Sequence, residues 1–174
     1  QQQALHLLDY LLAQFKHEEG YYLHLDPAST RKIRAYADDL LYLASACMTM
    51  SVMWANPVYL ERAMSLTEEI INYYCKEASN FCSFTHQLEN RVPVAREDMY
   101  DGALPSANAV FCKLLYQLSV AYSRKDFALR SSGLMKKMLP LLRQFPSSFG
   151  YWCREALHRT QPEIEVVVTG PEAA

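Results

Sequence analysis

Two runs in this chain of 174 residues are apolar on nearly every side of a helix, and each is flanked by helical runs with one wet face. In the first, Ile33, Ala37, Leu40, Leu41, Ala44, Cys47 and Met48 make one face, while Tyr36, Leu43 and Met50 populate the opposite one. In the second, Val110, Phe111, Leu114, Leu115, Leu118, Val120 and Ala121 leave little room for a polar side. A helix without a polar face must be covered from several directions, so both are predicted to be inner helices. Between them, Leu60, Ala63, Met64, Thr67, Ile70, Ile71 and Tyr74 form a single stripe opposite Glu61, Arg62, Ser65, Glu68, Glu69 and Asn72, the pattern of an outer helix.

The remaining segments follow the same alternation. Leu5, Leu8, Leu12 and Phe15, widened by Leu7 and Leu11, predict a first helix to about Phe15, with Gly20 as its left-handed stop. Tyr21 to Leu25 reads as a loop or short hairpin arm, and Ser29 or Thr30 as the cap of the first inner helix. Asn56-Pro57 starts the third helix, Phe81 to Thr85 is a short extended piece, and a long loop from His86 leads to Pro105, placed in the first turn of the fourth helix. A fifth helix runs from about Lys125 to Phe145, where Pro140 is expected to kink it or end it early. A sixth runs from Pro146 to about Arg159, and Glu163 to Val168 has a strand pattern. Outer and inner helices in turn make a helical-hairpin array, which brings the inner helix starts to one face.

Composition narrows the function classes. One domain suffices for this length, and a formal net charge of −2 supplies no basic excess for phosphates, so no nucleic acid is expected as a partner. No apolar run approaches the roughly 20 residues of a membrane span. The sequence begins Gln1-Gln2-Gln3 and shows no export signal, which reads as a start within a longer protein. Five cysteines without a C-x-x-C pair suit reduced core thiols, and the expected location is cytoplasmic. No His/Cys/Asp cluster has a ligand spacing, so neither a metal nor another cofactor is expected.

The best candidate site is Arg96 to Asn108, which packs charge, aromatic and turn residues before an inner helix. A helix start concentrates free N–H groups and partial positive charge, which suits hydroxyl-rich or anionic ligands. Glycoside hydrolysis needs two carboxylates across one bond, which Asp38 or Asp39 facing Asp101 could supply, with Asp39 and Asp101 taken as the candidate catalytic residues. Tyr36, Arg96, Glu97, Tyr100, Ser106, Asn108 and Trp152 are the candidate ligand-binding residues, the rings because flat apolar faces match pyranoses. Of the five histidines only His86, in the long loop, is singled out.

The string Arg96-x-x-x-Tyr100-Asp101-Gly102-Ala103-Leu104-Pro105-Ser106-x-Asn108, with Tyr36-Ala37-Asp38-Asp39 before it and Val166-Val167-Val168-x-Gly170 after it, resembles the C-terminal part of thioredoxin-domain-containing proteins related to spermatogenesis-associated protein 20. That resemblance implies an all-α fold of antiparallel helical hairpins forming part of an (α/α)6 toroid akin to six-hairpin glycosidases and N-acylglucosamine 2-epimerases, with short β elements in the connections and at the C-terminus. Residues 1–160 would be the partial toroid and 161–174 a truncated strand segment. The chain departs from the pattern in having no thioredoxin-like domain, six helical patterns for a twelve-helix ring, and Ala107 where glycine is expected. The resemblance implies a carbohydrate-related domain, sugar-binding or epimerase- or glycosidase-like; the alternative is a non-catalytic scaffold that docks a thioredoxin-like domain or another protein. The expected partners are a small carbohydrate, the missing N-terminal part of a parent protein, and a second copy of the chain.

Overall fold

The computed structural model describes residues 2–76, 79–89 and 96–161. It is built from six α-helices: α1 (Gln2–Gln14), α2 (Ala37–Met53), α3 (Pro57–Tyr73), α4 (Ala107–Ala121), α5 (Lys125–Gln144) and α6 (Gly150–His158), with a short 3-10 turn at Pro146–Ser148. Among the described residues there is no sheet; three isolated antiparallel bridges, Lys16 with Tyr22, Leu23 with Arg34 and Cys75 with Cys82, tie the connections together. The strand pattern from Glu163 lies outside the described residues.

Hydrophobic burial explains the packing order. The two helices without a polar face, α2 and α4, lie against each other, and each is backed by its hairpin partner, α3 behind α2 and α5 behind α4. Leu41, Ala44 and Cys47 of α2 and Phe111, Leu114, Leu115 and Leu118 of α4 are wholly buried. α1 rests on the far side of α2, and α6 on α4 and α5. The cover is incomplete: Leu43 and Ala46 of α2 are half-buried, and Val120 near the end of α4 is exposed. The five thiols are free, four of them buried and Cys153 half-buried. Among the described residues no helix is long and apolar enough to cross a membrane.

Local chemistry corrects four details of the sequence reading. Neither Ser29 nor Thr30 caps the first inner helix, which begins at Ala37. Gly20 does take a positive φ of 92°, but six residues beyond α1, in the turn where its N–H donates to the His17 carbonyl. Pro105 precedes the N-cap Ser106 instead of entering the helix. α5 passes Pro140 and runs on to Gln144, so of the two expected effects of the proline the early end does not occur. The carbonyl that proline leaves unpaired belongs to Lys136, an exposed residue, so water can take the bond.

Candidate functional site

Asp101 joins the starts of two helices. Its Oδ1 accepts from the Ser106 N–H at 2.8 Å, just before α4, and its Oδ2 accepts from the Tyr151 N–H at 2.7 Å, in the first turn of α6. A carboxylate between two helix N-termini meets free amides and partial positive charge from both sides, which makes these bonds strong. α2 is tied to the same place by the Tyr42 hydroxyl, which donates to the Pro105 carbonyl.

Below this bridge lies a buried polar seam. The Ser106 hydroxyl accepts from the Ala109 N–H at 3.1 Å, capping α4, and from the Trp152 indole N–H at 3.0 Å, which also reaches the Met99 carbonyl at 3.0 Å. Asn108 Oδ1 accepts from the Cys82 N–H at 2.8 Å, and its amide nitrogen donates to the carbonyls of Cys82 at 3.1 Å and Asp98 at 2.9 Å. Trp152 and Asn108 are wholly buried and Ser106 nearly so. The three side chains read from the sequence as ligand-binding, together with Asp101 read as catalytic, therefore have their polar atoms bound to the protein and hold the loop 96–105 onto α4 and α6.

Asp39 stands elsewhere, at the start of α2. Its Oδ2 accepts from the Tyr36 N–H at 2.8 Å, doing the capping expected of Ser29 or Thr30, and lies 2.7 Å from His24 Nδ1. The imidazole is thereby oriented by a carboxylate, with Nδ1 carrying the proton in the neutral ring. Asp39 and His24 sit at the polar end of a groove of about 440 Å³ between α1 and α2, otherwise walled by Leu7, Leu11, Leu43, Ala46 and Met50. Beside them, burial and then the neighbouring Asp39 charge push the Asp38 carboxyl above the usual aspartate range. Burial likewise raises the Tyr42 phenol, and Asp38, Asp101, Tyr151 and Asp98 add to it in that order, so these groups share one neighbourhood.

The remaining candidates divide between a second cleft and the surface. Tyr36 and Arg96 line a cleft of about 520 Å³ with Lys32, Arg34, Phe84 and His86. Tyr36 stacks on Phe84 at 4.5 Å, and Arg96 pairs with Asp98 at 3.1 Å. Tyr100 is exposed and stacks on Phe149 at 4.9 Å, while Glu97 is half-buried. His86 is buried, accepts from the Leu88 N–H at 3.1 Å and stacks on Tyr73; burial, followed by the Arg34 charge, lowers its affinity for a second proton. The nine residues read as one site thus fall into a seam, a groove mouth, a cleft and, for Tyr100 and Glu97, positions outside all three. Sequence reasoning missed His24, Tyr42 and the Lys32–Arg34 pair; the hairpin arm at Tyr21 to Leu25 was the available signal, since an arm folding back on α2 delivers its polar residue there.

Among the described residues no group of three or more His, Cys, Asp or Glu is placed to hold a metal ion. No family model matches the chain, and a comparison with curated proteins finds no match.

Proposed function

We propose that the chain is about half of an (α/α)6 toroid and a carbohydrate-related domain, binding a sugar where the starts of α2, α4 and α6 meet. The observation that supports this reading best is the junction itself: Asp101 and Tyr42 join three helix starts, which gathers Asp38, Asp98 and Tyr151 around one neighbourhood. Sugar hydroxyls would donate to the carboxylates and a pyranose face would stack on an exposed ring. Asp101, Ser106, Asn108 and Trp152 enter as supports, and Asp38, Tyr42, Tyr100 and Tyr151 as the contacting groups. Burial pushes the Asp38 carboxyl above the usual aspartate range, so it would take up a proton more readily than an ordinary carboxylate, and Asp39 next to it is held beside His24; this is where an epimerase- or glycosidase-like reaction of a longer protein would find a carboxyl group to work with. The setting is cytoplasmic.

Thermal shift against a panel of mono- and disaccharides tests it. A ligand at about 100 times its Kd should add about 2.7 kcal/mol, and Asp38→Asn and Tyr151→Ala should each abolish the gain. Because a carboxylate accepts hydroxyl donors best when ionised, the gain should also fall as pH drops through the raised Asp38 value. A flat response in the parent, or equal gains in both variants, would overturn the reading.

The groove between α1 and α2 favours a second one, a non-catalytic scaffold. Leu7, which lines it, is more than half exposed, and an apolar face of this kind suits the missing part of a parent protein or a second copy of the chain. Sedimentation that stays monomeric at all concentrations would remove self-association from the account.

A further inference from the structure

Cys75 and Cys82 face each other across an isolated antiparallel bridge, at the point where the chain leaving α3 turns back on itself. The hydrogen bonds around the pair fix its type. The Ser83 N–H donates to the Tyr74 carbonyl at 2.8 Å, one residue outward on both sides, so the ladder bond flanks the cysteines. Neither cysteine bonds the other's backbone: the Cys82 N–H goes to Asn108 Oδ1, and the Cys75 carbonyl accepts from the Gln87 side-chain amide at 2.8 Å. In this narrow, non-hydrogen-bonded arrangement, facing Cα atoms lie about 4.5 Å apart with side chains on one side of the ladder. Disulfides span Cα separations of about 4.4 to 6.8 Å, so the backbone is already set for a bond.

We propose that Cys75 and Cys82 form a reversible dithiol–disulfide site, oxidised by exchange with small-molecule disulfides. Cys75, the more accessible of the two at 6% against 1% exposure, attacks first. Its sulfur bonds to one sulfur of the small disulfide and releases the other half as a thiol. Cys82 then attacks the Cys75 sulfur, forming the Cys75–Cys82 bond and releasing the second half. Two protons and two electrons pass from the protein thiols to the small disulfide, which leaves as two thiols.

The pair is attached to the polar seam. Cys82 Sγ donates to Asn108 Oδ1 at 3.2 Å, and Asn108 in turn holds the Asp98 carbonyl, so oxidation removes one bond from the residue that anchors the loop 96–105. Burial pushes both thiols above the ordinary cysteine range, which leaves little thiolate and makes the pair slow to react unless the bridge opens. The Arg130 guanidinium opposes this effect at both sulfurs and Glu97 reinforces it.

The experiment incubates the native chain with oxidised glutathione for hours, then quenches, denatures and alkylates it. Three thiols of the five should remain free, and peptide mapping should find the Cys75–Cys82 link, reversed by dithiothreitol. Cys82→Ser, whose hydroxyl can still donate to Asn108, should stop the reaction at a single glutathione on Cys75. Five free thiols after prolonged exposure, a bond that involves Cys47, Cys112 or Cys153, or glutathione on Cys153 alone would each overturn the proposal.

Discussion

The seam under α4 and α6 and the groove mouth beside α2 are made from similar residue types, yet the seam is the drier of the two: Ser106, Asn108 and Trp152 are buried, with half-buried Asp101 at its edge. In the seam, the side chains of Asp101, Ser106, Asn108 and Trp152 take part in nine hydrogen bonds, and Asn108 and Trp152 have no exposed surface. At the groove mouth, His24 and Asp39 share one 2.7 Å contact while 37% and 35% of their side chains remain exposed. Dehydrated polar groups with filled partners are costly to disturb, because removing one strands the others. Half-exposed groups fall back on water, so their pairing adds little stability and leaves them free to meet a ligand. The difference teaches that an Asp at a helix start is an architectural or a chemical residue according to who takes its two oxygens.

The largest effect should come from the middle of the seam. Trp152→Ala removes a wholly buried ring and the donor to Ser106 and Met99, and should cost about 3 to 5 kcal/mol in urea unfolding. A loss under about 1 kcal/mol would mean that the site collapses easily and that the seam is not the rigid partner in this comparison. Next, Asn108→Ala strands the Cys82 N–H and the Cys82 and Asp98 carbonyls together, for about 2 to 4 kcal/mol by the same measurement. If instead it matches a surface substitution, the loop 96–105 does not depend on Asn108.

Much of the fold was legible because it follows from periodicity. The faces of α2, α3, α4 and α5 come directly from apolar spacing, and Asn56 before Pro57 marks the start of α3, where its side chain accepts from the Val58 N–H at 3.0 Å. Boundaries set by a distant partner were not legible. α2 begins at Ala37 because Asp39 reaches back to the Tyr36 N–H, a competitor to Ser29 and Thr30 that composition does not rank. The stretch Arg96 to Asn108 stood out for the right residues, but sequence cannot show that the Tyr151 amide, fifty positions on, arrives to take the second Asp101 oxygen. His24 was passed over for the same reason, since the carboxylate that orients it comes from another element.

The most direct test of the difference between the two regions is the melting temperature of Asp101→Asn beside that of Asp39→Asn. Both exchange one carboxylate oxygen for an amide and change size very little. At Asp101 the new NH2 must face a backbone N–H, and losing a charged acceptor should cost about 2 kcal/mol, roughly 4 to 8 °C for a chain of this size. At Asp39, where the pair is exposed, the shift should stay within about 2 °C. An Asp101→Asn protein that melts with the parent, or an Asp39→Asn protein that falls as far as the Asp101 variant, would contradict the division between a structural seam and an open groove mouth.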